Sequence, residues 1–333
     1  MLLICRLLPI VAMSISAVVL PSPPGQYDVF YNTAKMIEKT RVDPFDPKNG
    51  SRAVMTSVFA PTHCKIDLEK INYLPPATAE YYSDLYSALG LPNGTIQSIS
   101  FQACPEPPKG RHLQFPVVIF SPALGTTRLF YNAIAQAVAS AGYIVVPLDV
   151  NTRARNVSFV LDQLSTKAGV AALLPGTGAA GLKTRQVAMY GHSVGGAAAA
   201  EAMRLDCRVV AGANLDGSMF GPVVQQGTTD SSWAEFWSSL RGWKLELELA
   251  QGQHYAFADL SYLMKLLDVP VQNVPALQRM VGNLDGAKAF EIVHRTVTAF
   301  LGFGLRRASS TPLEEVISQY PEVSVFARGK ENR

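Results

Sequence analysis

The pattern Gly191-His192-Ser193-Val194-Gly195 constrains this chain more than any other stretch. The apolar run Val187–Tyr190 leads into it, and the small-residue run Gly196-Ala197-Ala198-Ala199-Ala200 leads out toward Met203. A strand must therefore turn sharply into a helix at a serine, flanked by glycines because side chains there would collide with neighbouring elements. Such a turn lifts Ser193 above the carboxyl end of its strand. It also sets the serine at the amino end of a helix, whose dipole favours a developing anion. The geometry suits a nucleophile, and it needs a sheet whose strands are followed by helices.

The flanking sequence supplies one. Val54–Phe59 reads as an early strand and Ala77–Leu89 as a helix after Pro75-Pro76. Phe115–Phe120 is a continuous apolar strand ending in the loop Ser121-Pro122-Ala123-Leu124-Gly125, and Tyr131–Ala141 is an Ala-rich helix closed by Gly142. Tyr143–Leu148, a helix Val157–Leu164, the Val187–Tyr190 strand and a strand Val209–Asn214 continue the alternation. Uniformly apolar strands alternating with helices predict an α/β fold with a mostly parallel central sheet and helices on both faces. In Trp243–Leu249, Leu245, Leu247 and Leu249 alternate with Lys244, Glu246 and Glu248, which predicts a half-exposed strand near a sheet edge.

A serine is a weak nucleophile without a base, and the base needs an orienting acid. In chains with this turn the acid and then the histidine follow the serine, which leaves His254 and His294 and sets aside His63, His112 and His192. His254 follows Gln251-Gly252-Gln253 in a loop after a strand, whereas His294 lies in an apolar helical stretch, so His254 is the preferred base. Asp216, just past strand Val209–Asn214, is the preferred acid. Asp149 precedes the serine, and Asp259 reads as a cap or surface residue at the start of a helix. The backbone N–H groups of Val194 and of Leu124 are the expected oxyanion donors.

Other features bound the setting. The 333 residues are 48% apolar, which excludes disorder, and 29 basic against 26 acidic residues without a basic cluster exclude a dedicated nucleic-acid binder. Residues 2–20 are almost wholly apolar, and Ser14-Ile15-Ser16 carries the small-x-small pattern of a cleavage site. The expectation is a signal peptide over residues 1–16, a single domain over 17–333 and secretion, with an uncleaved anchor as the alternative. Three sequons begin at Asn49, Asn93 and Asn156. Without the leader, Cys64, Cys104 and Cys207 remain. Cys64 with Cys104 is the preferred disulfide, because both lie in Pro-containing loops, and Cys207 is expected to be a buried thiol. Gly176-Thr177-Gly178-Ala179-Ala180-Gly181 matches the dinucleotide fingerprint but leads into a strand, not a helix, and reads as a loop. No cofactor or metal is expected.

With these residues placed, the chain resembles the platelet-activating-factor acetylhydrolase family, in particular its secreted fungal-type relatives, and more distantly the polyester-hydrolase and cutinase-like group. The motifs that carry the resemblance are Ser121-Pro122-Ala123-Leu124-Gly125-Thr126-Thr127-Arg128, Gly191-His192-Ser193-Val194-Gly195-Gly196-Ala197, Asn214-Leu215-Asp216-Gly217-Ser218-Met219-Phe220 and His254-Tyr255-Ala256-Phe257-Ala258-Asp259-Leu260. The resemblance implies an α/β-hydrolase fold and the triad Ser193, Asp216 and His254, with Leu124 in the donor loop. It also implies release of a short acyl group from the sn-2 position of an ether phospholipid, with contact to a lipid surface. The family has another core strand where Val223–Ser232 is mostly polar, so the expected sheet lacks one core strand. A broad short-chain carboxylesterase or polyester hydrolase with the same triad, and an inactive scaffold that binds a ligand or partner, are the alternative functions.

Overall fold

The computed structural model describes residues 17–64, 67–89, 91–149, 153–219, 232–306 and 309–329. The leader and most of the polar stretch at 223–232 lie outside them. In chain order the strands are β1 (Val18–Val19), β2 (Asp28–Val42), β3 (Ser51–Thr62), β4 (Glu69–Asn72), β5 (Ile99–Ala103), β6 (Val117–Ser121), β7 (Ile144–Asp149), β8 (Val187–His192), β9 (Val209–Leu215), β10 (Leu245–Leu249) and β11 (Val323–Arg328). The helices are α1 (Pro76–Ser87), α2 (Asn132–Ser140), α3 (Arg153–Leu164), α4 (Lys167–Leu173), α5 (Val194–Leu205), α6 (Ser232–Ser239), α7 (Leu260–Leu266), α8 (Pro275–Val281), α9 (Gly286–Arg306) and α10 (Thr311–Gln319).

The central sheet has the order β2-β3-β7-β6-β8-β9. Its last four strands are parallel, and β2 and β3 form an antiparallel hairpin laid along β7. Both faces are apolar, as parallel strands with helical crossovers require. On β6, Val118 and Phe120 join a core with Ile134 and Val138 of α2, Leu263 of α7 and Val293 of α9. Val117 and Ile119, pointing the other way, pack with Val157 and Leu161 of α3, Val170 of α4 and Ala199 of α5. The register decides what emerges where. Ser121 lies opposite Gly191 and His192 opposite Leu215, so the loop after β6, Ser193 and Asp216 all leave the same edge.

Two smaller sheets flank this one. β1, β5 and β4 form the first, in which Val18 pairs with Ile99 and the Leu20 N–H donates to the Ser100 carbonyl at 2.7 Å. The second pairs β10 with β11 in antiparallel fashion, so the half-exposed edge strand expected over 243–249 is present, in a separate two-stranded sheet. Its Leu247 and Leu249 find their apolar partners in Ile292 of α9 and Val316 of α10. Among the described residues β9 pairs only with β8, and the polar stretch proposed to replace a strand falls outside them.

The cysteines and sequons are placed unequally. Cys64 and Cys104 are joined in a disulfide with Cα atoms 5.7 Å apart. Cys207 is exposed, not buried, because it occupies the turn between α5 and β9 rather than the strand itself. Asn49 and Asn93 are exposed. Asn156 is not a glycan site in this fold. It is fully buried on α3, its Oδ1 accepts from Arg52 Nε at 3.0 Å and from Arg41, and its Nδ2 is enclosed. Among the described residues no helix is long and apolar enough to cross a membrane.

Candidate active site

Ser193 joins β8 to α5 with φ 58° and ψ −127°, a conformation that an L-residue adopts only when its surroundings enforce it. The Ser193 N–H donates to the Leu215 carbonyl at 2.8 Å, and the Ser193 carbonyl accepts from Gly196 N–H at 2.8 Å. The turn also needs close backbone approach. A Cβ on Gly195 would stand 2.0 Å from the Ser121 carbonyl oxygen, and one on Gly217 would stand 2.0 Å from that of Ser193. These contacts bring the loop after β6 and the loop after β9 against the serine.

The two expected donors are available. Val194 is the first residue of α5, so its N–H has no intrahelical acceptor. The Leu124 N–H donates to no acceptor among the described residues, while the Leu124 side chain is exposed. Ala123, the residue before it, donates its N–H to the Tyr131 hydroxyl at 3.3 Å.

Asp216 follows β9 with φ 53°. The Asn214 side chain closes its loop, with Oδ1 accepting from Gly217 N–H at 2.9 Å and Nδ2 donating to the Gly217 carbonyl at 2.6 Å. His254 opens a short 3-10 turn, held against the end of α8 where the Gln253 N–H meets the Val281 carbonyl at 3.3 Å. His254 Nδ1 and Asp216 Oδ2 lie 2.5 Å apart. The side chains are 40% and 50% exposed, so solvent and a substrate can reach the imidazole. Among the described residues Ser193 Oγ has no hydrogen bond to His254; in unliganded hydrolases this bond commonly tightens only once substrate is bound.

His192 lies between them. It is fully buried, and its ring centroid is 4.6 Å from that of His254. Its Nδ1 is 2.6 Å from the Tyr131 hydroxyl, and its Nε2 has no partner among the described residues. Burial first, and then the neighbouring His254, push its pKa down to about 3, so the ring is neutral. Donor atoms of His192, Asp216 and His254 lie within 4.8 Å of one another, but Asp216 and His254 are already bonded together, as an acid–base pair would be.

The acids and the histidine set aside have other work. The Asp149 carboxylate accepts from Thr127 Oγ1 at 3.0 Å, from Arg128 N–H at 2.6 Å and from the Arg128 guanidinium, whose Nε donates to Ser57 at 2.8 Å. It thereby anchors the far end of the donor loop. A cavity of about 250 Å³ opens beside that loop, walled by Ala123, Leu124 and Thr126 on one side and by Asp43, Arg52 and Asp149 on the other. His294 is buried in α9 against Phe290, and desolvation pushes its pKa down to about 4.

Asp259 corrects the expectation of a surface residue. It is fully buried, and it caps α2 rather than its own helix by accepting from Ala133 N–H at 2.7 Å and Ile134 N–H at 3.1 Å. Tyr73 donates its hydroxyl to the same carboxylate at 2.6 Å, and burial raises the Asp259 pKa to about 7.

Comparisons with known proteins bear on the fold and on the activity. The sequence profile of "Platelet-activating factor acetylhydrolase, isoform II" matches residues 84–169. A protein of Arthroderma benhamiae named "Probable 1-alkyl-2-acetylglycerophosphocholine esterase" is 28% identical over 380 aligned residues, 96% of this chain and 97% of that protein. The chain is thus similar to the platelet-activating-factor acetylhydrolase family in that segment and to an esterase over nearly its whole length. A solved structure of ferulic acid esterase from Streptomyces cinnamoneus superposes with a TM-score of 0.75 at 25% identity, covering 94% of this chain and all of that one. The fold is therefore an α/β-hydrolase fold, and the protein is a carboxylic ester hydrolase. The role of inactive scaffold falls away with that result.

Tyr131, Asp149 and Asp259 were not read from the sequence as parts of the site. Only Asp259 left a signal, as the last polar residue of His254-Tyr255-Ala256-Phe257-Ala258-Asp259. The partners that define these residues lie 8 to 186 positions away in the chain.

Proposed function

We propose that this protein is a secreted serine esterase of the acetylhydrolase type, which removes a short acyl group from the sn-2 position of an ether phospholipid. The observation that carries the proposal is the 2.5 Å pairing of Asp216 with His254 on the sheet edge from which Ser193 emerges. Ser193 Oγ attacks the ester carbonyl while His254 takes its proton, and Asp216 holds Nδ1 so that Nε2 faces the serine. The N–H groups of Leu124 and Val194, with the amino end of α5 behind the latter, stabilise the oxyanion. Collapse of that intermediate breaks the bond to the alcohol oxygen, His254 returns the proton to it, and water then releases the acid from Ser193. The polar cavity beside the donor loop is the natural place for a polar substituent of the ester. The name of the Arthroderma protein supports the acetyl-ether-lipid substrate. The apolar leader, the exposed sequons at Asn49 and Asn93 and the disulfide support export.

The ferulic acid esterase likeness favours a second reading, a broad carboxylesterase with the same machinery. Turnover of an sn-2 acetyl ether phospholipid against that of p-nitrophenyl acetate decides between them. A kcat/KM at least tenfold higher for the lipid is expected, and equal or lower values establish the broad esterase. Ser193→Ala is expected to lower kcat by about 10⁴-fold or more with thermal stability retained. Full activity in that variant overturns the assignment of the nucleophile.

A further inference from the structure

We propose that Tyr131 is a positioning residue whose hydroxyl ties together the two backbone arms of the oxyanion site, a role that rests on Ser193 as the nucleophile. The two donors come from segments far apart in the chain. Leu124 lies in the loop after β6 and Val194 in the turn after β8, and the ladder between these strands ends at Ser121 opposite Gly191. The Tyr131 hydroxyl joins them. It accepts from the N–H of Ala123, the residue before Leu124, and sits 2.6 Å from Nδ1 of His192, the residue before Ser193.

The proton count fits a two-ended clamp. The Ala123 N–H can only donate, so the hydroxyl accepts at that end, and toward His192 as the Nε2–H tautomer it donates its own proton to Nδ1. Burial raises the Tyr131 pKa and keeps the phenol protonated. Burial also keeps His192 neutral, and as the Nε2–H tautomer it keeps a lone pair on Nδ1 while His254, whose ring lies tilted with its centroid 4.6 Å away, takes up the Ser193 proton. The Tyr131 side chain is itself fixed, fully buried with its ring 4.5 Å from that of Phe120 on β6. Oxyanion donors act only when aimed at the position the oxyanion will occupy, so a link one residue upstream of each segment governs that aim.

The test is a cycle of Tyr131→Phe, His192→Leu and the double variant, with His192→Asn as the conservative replacement. Each is assayed for kcat and KM on a short-chain p-nitrophenyl ester and for thermal unfolding. Loss of a direct oxyanion donor costs about 10²- to 10³-fold in kcat, so loss of the clamp is expected to cost about 10- to 100-fold, with KM within about twofold. The double variant should fall no lower than the worse single variant, because both remove one link. His192→Asn, whose carbonyl oxygen stands near the place of Nδ1, should recover most of the loss seen in His192→Leu. A Tyr131→Phe kcat within about twofold of the wild type overturns the clamp, as do losses that multiply in the double variant. A loss carried in KM overturns it too. Should Tyr131→Phe not fold, equal kcat in His192→Asn and His192→Leu overturns it on its own. An active Ser193→Ala variant removes the nucleophile and the clamp together, whereas an inactive one beside a wild-type-like Tyr131→Phe removes the clamp alone.

Discussion

Ser193 sits between β8 and α5 with backbone packed on every side, whereas Asp216 and His254 stand half-exposed at the sheet margin and meet through their side chains. The strained φ of Ser193 is enforced by main-chain hydrogen bonds and by glycine contacts that leave no room for a methyl group. The Asp216–His254 pair depends instead on one short hydrogen bond and on the Asn214 side chain behind it. The nucleophile is thus part of the folded core, while the acid and base can be altered with little cost to folding. Stability and activity should therefore respond differently on the two sides.

The largest effect should come from the side-chain half. Asp216→Asn removes the acceptor for His254 Nδ1–H and should lower kcat by about 10⁴-fold, with the melting temperature moving by no more than about 2 °C because the group is exposed. A melting temperature that collapses with activity would show that the pair is structural after all. On the backbone half, Gly195→Ala drives a Cβ against the Ser121 carbonyl. It should cost about 10²-fold or more in kcat and lower the melting temperature as well, since displacement of about 1 Å is enough for such a loss. Activity lost without destabilisation would contradict the packing argument.

The smallest effect sharpens the comparison through a third residue, Asp259, which anchors the His254 segment to α2. Asp259→Asn replaces one acceptor oxygen with a donor facing one of the two N–H groups and should destabilise by about 1–3 kcal/mol at acid pH, read by denaturant unfolding. The pH dependence has a definite sign. The unfolded carboxyl ionises near about pH 4 and the folded one near 7, so the native state holds the extra proton between these values. Wild-type stability from this group is fully present below about pH 4 and is lost as pH rises to about 7. The gap between wild type and variant should therefore narrow over that window. His192 and His294, both held neutral by burial, slope the other way below about pH 6.5, and the difference between the two proteins cancels them. A gap that stays constant from pH 4 to 7 would place an ionised carboxylate at Asp259.

Much of this was legible in the residue order. Apolar runs of strand length and the Ala-rich helices located β6, β7, β8, β9, α2 and α5 within a few residues, because each is buried by a local periodic pattern. The loop positions of Asp216 and His254 followed from where strands end. The remainder depends on partners distant in the chain. β2 was missed because it is an edge strand whose exposed Lys35 and Lys39 blur the alternation. The partner of β10 is set by a strand more than seventy residues later. Asn156 carries an intact sequon, yet the fold places Arg52 against it, and no local signal marks that contact.

The first described strand has a consequence for the order of events in the cell. Val18 and Val19 are already hydrogen-bonded into the sheet with β5, and Leu20 is buried, only two to four residues past the proposed cleavage point. A peptidase must take an extended substrate into its own cleft, and a segment docked this close to the bond is not free to enter. On the proposed secretory route, removal of the leader therefore precedes the closing of β1 onto β5. On that route a chain that folded first would keep its leader, and processing would act as a timer on folding rather than a trimming step after it.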